Sequence, residues 1–282
     1  VEQALPQEFT NSIGMKLCLI PAGEVSTRVS NRGDSVGATK GAVHRAFYMG
    51  GHEVTVGQFR HFVSETQHLT TAEREGGADA RCVPGGTIPN EHGISWHSPG
   101  FEQTDRHPVT CVSWEDAMFF CQWLSEQEGK SYRLPTCAEW EYACRAGSKT
   151  KYVWGDELSD GEGYLNVADL SAGQDGIGWT DAFAFDDGFV ATSPVGHYRT
   201  HGFGLADIEG NVSELCSDLN VDTSSPASVP AGTTTGFEKI GTRGCSWALG
   251  PHIYNPDKSF TITPAHRTND NGFRVVIVLS EN

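Results

Sequence analysis

Three stretches of the chain space their apolar residues with the 3.6-residue period of a helix, each behind a capping signature. In EVTVGQFRHFVSET (53–66), Thr55 stands three residues before Gln58, and Phe59, Phe62 and Val63 then share one face. In VSWEDAMFFCQWLSEQEG (112–129), Ser113 is placed to cap, with Asp116 at the third position. Trp114, Ala117, Met118, Cys121 and Leu124 recur at helical spacing there, and Gly129 supplies the stop. LPTCAEWEYACRAG (134–147) repeats the scheme with Thr136 and Glu139, turns Trp140, Ala143 and Cys144 inward and closes at Gly147. MKLCLIPAG (15–23), HPVTCV (107–112), TSPVGHY (192–198) and GFRVVIVL (272–279) read as strands.

Between Tyr152 and Asp187 neither period is present. So long an irregular segment inside a compact domain implies that something other than a hydrophobic core holds it. No Pro- or Ser-rich linker divides the chain and no internal repeat shows. The pattern therefore predicts one α+β domain with a high loop content.

Composition narrows this picture. With 282 residues, 38% of them hydrophobic, the chain has ample apolar surface for a core. No run approaches the ~18 apolar residues of a membrane span. The chain opens at Val1 without Met, which predicts a processed start. A net charge of −16 repels nucleic acid and favours cations or basic partners. The acidic excess is densest between Asp156 and Asp187. Of the eight cysteines, none forms a C-x-x-C pair, which argues against a zinc ribbon or thioredoxin-type site. Most lie in apolar runs (KLCLI, VTCVSW, FFCQW), where buried free thiols are a better reading than a disulfide framework. Compartment does not follow from them.

Laid end to end, FTNSIGMKLCLIPAGE, HEVTVGQF, HPVTCVSWEDA, YRLPTCAEWEYACRAG, VWGDE, TSPVGHY, GFGLADIEGNVSEL, RGCSWA and NGFRVV stand in a specific order. In that order and spacing, from about Phe9 to Val278, the chain resembles the formylglycine-generating-enzyme family, or sulfatase-modifying factors. The resemblance implies an elaborated C-type-lectin-like domain: two principal helices, a small twisted antiparallel sheet and long loops. It divides the chain into an N-terminal tail, residues 1–8, and one domain, residues 9–282.

The resemblance also gives the acidic middle a role, because members of this family use bound calcium to pin such loops. It implies two structural Ca2+ sites. The first would take the side chains of Asn166 and Asp187 and the carbonyls of Val167 and Phe189. The second would take the side chains of Asp207 and Glu214 and the carbonyls of Gly210 and Val212. Mixed carboxylate, amide and carbonyl oxygens suit a hard cation. Neither segment fits the EF-hand pattern, and composition alone describes a solvated acidic loop.

The family's enzymes hold copper(I) on two cysteine thiolates after the RGGSW motif and use dioxygen to oxidise a substrate cysteine to formylglycine. In RGCSWALGPHIY (243–254) those two positions hold Leu249 and Tyr254, neither of them a soft sulfur donor. Copper is therefore not expected, nor formylglycine generation by that route. Ser246, Trp247 and Leu249 are expected to flank the cleft. Cys245 replaces a family glycine; with His252 or Tyr254 it is a candidate for altered chemistry, or simply a small buried side chain. His107, His252 and His266, or His197 with His201, carry no spacing that demands a metal.

Three functions remain open. The first is a calcium-stiffened binding module whose face at residues 248–271 meets a peptide or carbohydrate. Related scaffolds in diversity-generating systems vary this same region. The second is an enzyme with altered cleft chemistry; other branches of the family serve pyoverdine maturation or, with an added helical domain, thiohistidine synthesis. The third is a sulfatase-modifying enzyme after all, should the register differ. Calcium availability and the processed start together predict an exported protein, periplasmic or extracellular.

Overall fold

The computed structural model describes residues 5–30, 36–82, 86–173, 181–221, 238–256 and 259–279. The described strands are, in chain order, β1 (Glu8–Thr10), β2 (Lys16–Ile20), β3 (Gly23–Ser30), β4 (Val36–Val43), β5 (Phe47–Gly50), β6 (Gly77–Cys82) and β7 (Gly86–His92). They continue with β8 (Ser131–Arg133), β9 (Ser213–Val221), β10 (Glu238–Arg243), β11 (Phe260–Ile262), β12 (Asn271–Gly272) and β13 (Val276–Val278). The α-helices are α1 (Val56–Thr66), α2 (Thr71–Glu75), α3 (Trp114–Glu128) and α4 (Cys137–Arg145).

All three capping boxes read from the sequence form. The Thr55 hydroxyl accepts from the Gln58 amide at 3.2 Å while the Gln58 side chain accepts from the Thr55 amide at 3.0 Å. Ser113 and Asp116 do the same at α3, and Thr136 and Glu139 at α4. A fourth box, Thr70 with Glu73, starts the short α2, which the apolar pattern did not announce. Gly129 ends α3 in the left-handed region as expected. At α4 the cap falls one residue earlier than Gly147: Ala146, at φ 44°, donates its amide to the Tyr142 carbonyl, and Gly147 only continues the left-handed turn.

The larger sheet runs β1-β2-β5-β13-β8 and is antiparallel throughout. Its residues alternate between two cores, as the pleat requires. Leu17, Tyr48 and Ile277 point to a core shared with Phe59 and Phe62 of α1 and Phe120 and Leu124 of α3. Cys18, Met49 and Val276 point the other way, onto Trp140 and Ala143 of α4. The second sheet runs β11-β10-β9-β12, with β12 parallel to β9, and β3-β4 and β6-β7 are separate hairpins.

Two expected strands do not form. In HPVTCV, Val109 and Cys111 are buried, but their amides bond to Val54 and Thr268 carbonyls on different segments. Pro108 has no amide to give and Cys111 sits at φ 60°, so no ladder propagates. TSPVGHY is a turn, with Gly196 at φ 73°. Among its described residues, the irregular segment from Tyr152 to Asp187 carries two 3-10 turns, Leu158–Gly161 and Leu170–Gly173, and no α-helix or extended strand. Apolar packing contributes more to it than its polarity implied: Tyr152, Leu165, Val167, Phe183 and Phe185 form a third cluster with Cys245 and Tyr254. None of the seven cysteines whose side chains are described, Cys82 being outside them, is in a disulfide. Among the described residues no helix is long and apolar enough to cross a membrane.

Candidate functional site

Strand β10 ends at Arg243, whose guanidinium is buried against Glu141 of α4 at 2.6 Å. The chain then turns at Gly244, φ 73°, where a β-carbon would press to 3.2 Å on the Trp140 ring. From here the loop descends into the protein. Ser246 is fully buried and donates to the Asp270 carboxylate at 2.8 Å. Trp247 bonds through its amide to the Asn211 carbonyl and through its ring nitrogen to the Asn269 carbonyl, with Phe101 edge-on to its ring.

The two positions aligned with the family thiols meet in the third cluster. Leu249 packs against its edge. Tyr254 lies within it, its ring 5.6 Å from Phe183 and 5.8 Å from Tyr152, and its hydroxyl donates to Glu209 at 2.9 Å. Burial pushes the Glu209 carboxyl up to about 7, and burial beside Glu209 raises Tyr254 well above a free phenol. Cys245 is 1% exposed in the same cluster. His252 is not with it: its side chain is 89% exposed and pairs with Asp181 at the surface. His107 is bound to Thr104, His266 lies beside Asp79, and His201 caps the Cys144 carbonyl, so these histidines stay apart from one another. His197 stacks between Phe189 and Tyr198.

The oxygen-rich loops converge on Asn211, next to this cluster. Asp207 and Asn211 both adopt left-handed φ, and a β-carbon on Gly210 would lie 2.7 Å from the Asn166 amide. Only glycine fits there, and that contact brings the 166–167 and 207–214 segments together. Asn211 is the hub: it accepts from Asn166 and the Ser193 amide and donates to Glu53. Four buried oxygens around it, on Glu53 (Oε2), Asn166 (Oδ1), Ser193 (Oγ) and Asp207 (Oδ1), have no hydrogen-bond partner among the described residues. Such orphans are costly unless another group satisfies them. Burial raises Asp207 to about 6 and Asp187 to about 7, and raises Glu53 with Asp207 nearby adding to it.

The donor chemistry therefore fits a hard cation at Asn166, and at Asp207. The remaining residues expected as ligands are more committed. Asp187 accepts from the Phe189 amide and the Tyr198 hydroxyl, and the Phe189 carbonyl accepts from Ser171. Val167 and Val212 are buried beside them. Glu214 departs most from a ligand role, because both its oxygens face Arg274 at 2.6 Å and Trp140 adds a third donor. Among the described residues no three His, Cys, Asp or Glu side chains converge as a metal site, so an ion here would rest largely on amide and main-chain oxygens.

Against this geometry, the model of the sulfatase-modifying factor enzyme 1-like domain matches residues 2–279. The chain belongs to that family. It is 35% identical to the formylglycine-generating enzyme of Streptomyces coelicolor, covering 82% of this chain and 77% of that protein. It is 28% identical to the inactive C-alpha-formylglycine-generating enzyme 2 of Bos taurus, over 73% of this chain and 72% of that one. The structure of PvdO from Pseudomonas aeruginosa superposes with a TM-score of 0.72 over 98% of this chain and all of its own, at 24% identity, which speaks to fold alone.

Sequence reasoning did not anticipate Glu53, Glu209, Asp270 or Arg274. Glu53 carried a faint signal, an acid set among apolar residues just before a helix start. The others show their roles only once distant segments are brought together.

Proposed function

We propose that this chain is a family member without copper-dependent formylglycine-generating chemistry, a cation-stiffened scaffold whose C-terminal loops recognise a peptide or carbohydrate. One observation carries the first half: the residues aligned with the family's copper thiolates, Leu249 and Tyr254, are packed into an aromatic cluster, with the Tyr254 hydroxyl spent on Glu209. Neither offers a soft donor; Cys245 lies in the same cluster, and the Cys144 thiol donates to the other oxygen of Glu209 at 3.6 Å. The orphaned oxygens of Asn166 and Asp207 support the cation. When bound, Ca2+ would supply a multivalent positive charge that draws these oxygens into one rigid unit. Asn211 holds the two segments in reach of it, and Gly210 allows their backbones to touch.

The recognition face follows from what the scaffold leaves outside. Ile253 is half exposed and His252 projects beside it, on a loop anchored by Ser246, Trp247 and Tyr254. Exposed side chains on a rigid base are how such folds vary binding. Metal analysis with an oxygen-consumption assay on a cysteine-containing sulfatase peptide tests the reading. Calcium with no turnover agrees with it; bound copper with turnover refutes it. Screening immobilised peptides and glycans against wild type and Ile253→Ala tests the face.

A further inference from the structure

Cys137 opens α4 and is half-buried, while Cys216 lies fully buried on β9 beneath it. Beside them runs β10, whose pairing with β9 slips at Gly241. That glycine makes room for a thiol: a β-carbon placed on it would stand 2.3 Å from the Cys137 sulfur and 3.9 Å from the Cys216 β-carbon. Neither sulfur is in a disulfide, and both cysteines border the space that a side chain on Gly241 would fill. The slip and the missing side chain thus open a slot through which one cysteine reaches the other.

The two thiols differ in character. Cys137 sits at a helix N-terminus, where unpaired amides stabilise a thiolate. The Cys216 thiol holds Cys137 below an ordinary thiol, against burial and the neighbouring Asp218, with Arg243 assisting. Burial pushes Cys216 well up. An accessible, activated thiol above a buried, protonated one is the arrangement of an attacking and a resolving cysteine.

We propose that Cys137 and Cys216 form a dithiol–disulfide site that a hydroperoxide oxidises. The Cys137 thiolate attacks the peroxide's terminal oxygen, so an S–O bond forms, the O–O bond breaks, and the leaving oxyanion takes up a proton to depart as water or an alcohol. The Cys216 sulfur then attacks Cys137; the S–S bond forms, the S–O bond breaks, and the hydroxyl leaves as water with the Cys216 proton. The thiols lose two electrons in all, and the peroxide gains them. The product ties α4 to the strand behind the cleft.

The test treats the intact, reduced chain with one equivalent of hydrogen peroxide, alkylates the remaining thiols and maps the peptides by mass spectrometry. Two thiols disappear and one link joins Cys137 to Cys216; a Cys144→Ser background shows which cysteine of the shared peptide takes part. In Cys216→Ser, oxidation stops at a sulfenic acid on Cys137 that dimedone traps. Wild-type protein in which both thiols remain alkylatable, or a link that persists in Cys137→Ser, overturns the proposal. Mapping of the wild type stands alone should either variant fail to fold.

Discussion

Two buried regions of this protein are held by opposite means. On one face of the larger sheet, Phe59, Phe62, Phe120, Trp123 and Phe273 pack edge to face, tilted or stacked at 5.3 to 6.5 Å under helices with complete caps. Around Asn166 and Asp207, loops meet through side-chain amides, carboxylates and a buried guanidinium, with oxygens left unpartnered. The first region is insensitive to what is dissolved around it. The second holds buried charge, and on the proposed reading it answers to ions.

The largest effects should come from opening either region. Phe59→Ala leaves a cavity costing about 3–5 kcal/mol. Arg274→Met strands the Glu214 carboxylate without its partner and costs a similar ~3–5 kcal/mol. Urea unfolding distinguishes the two mechanisms, because adding Glu214→Leu should recover most of the second loss and none of the first. A double variant no more stable than Arg274→Met would mean that the ion pair is not what fails.

Calcium should act on only one side of the comparison. At about a hundredfold its Kd, a bound ion adds roughly 2.7 kcal/mol, and chelation removes it. The shift in Tm should persist in Phe59→Ala and vanish when Asn166→Ala and Asp207→Ala are combined. A melt indifferent to chelator would remove the cation from the account of the loop region.

Smaller effects sharpen the contrast. Thr136→Ala removes the α4 cap and should cost about 1 kcal/mol, read by thermal melting, with no change in calcium response. Glu128 offers a pH probe on the helical side. Burial alone would raise its carboxyl, but hydrogen bonds from Lys130, Ser12 and Tyr132 hold it at about 2. Its contribution is therefore full above its ordinary value of 4.5 and fades as pH falls toward 2. Glu128→Gln should flatten the stability profile across that acid window; an unchanged slope would assign the acid sensitivity elsewhere.

The helices were legible because their signals are local. Thr55, Ser113 and Thr136 each find their partner three residues away, and Phe59 with Phe62 marks the inward face without reference to the rest of the chain. Strands depend on neighbours far along the chain. HPVTCV has strand composition, yet Pro108 and the left-handed Cys111 leave it unable to pair in register. β9 and β10, polar and glycine-bearing, pair nonetheless because α4 covers them. At the site, the register read from RGCSW singled out Leu249 and Tyr254, and the fold brings both into one cluster. The roles of Glu209 under Tyr254 and of Arg274 on Glu214 are not linear: each joins positions 45 and 60 residues apart.

The order of strands in the larger sheet has a consequence for biosynthesis. β13 lies between β5 and β8, hydrogen-bonded to both. It is also the last of the five to be translated, and until it emerges from the ribosome β8 has no seat and β5 has a bare edge. Helices α1 and α3 can form early, but the surface they cover is assembled only once β13 has been made. A nascent chain halted before residue 276 should expose that hydrophobic edge to chaperones, so the interval before β13 is made is when this protein is most open to aggregation.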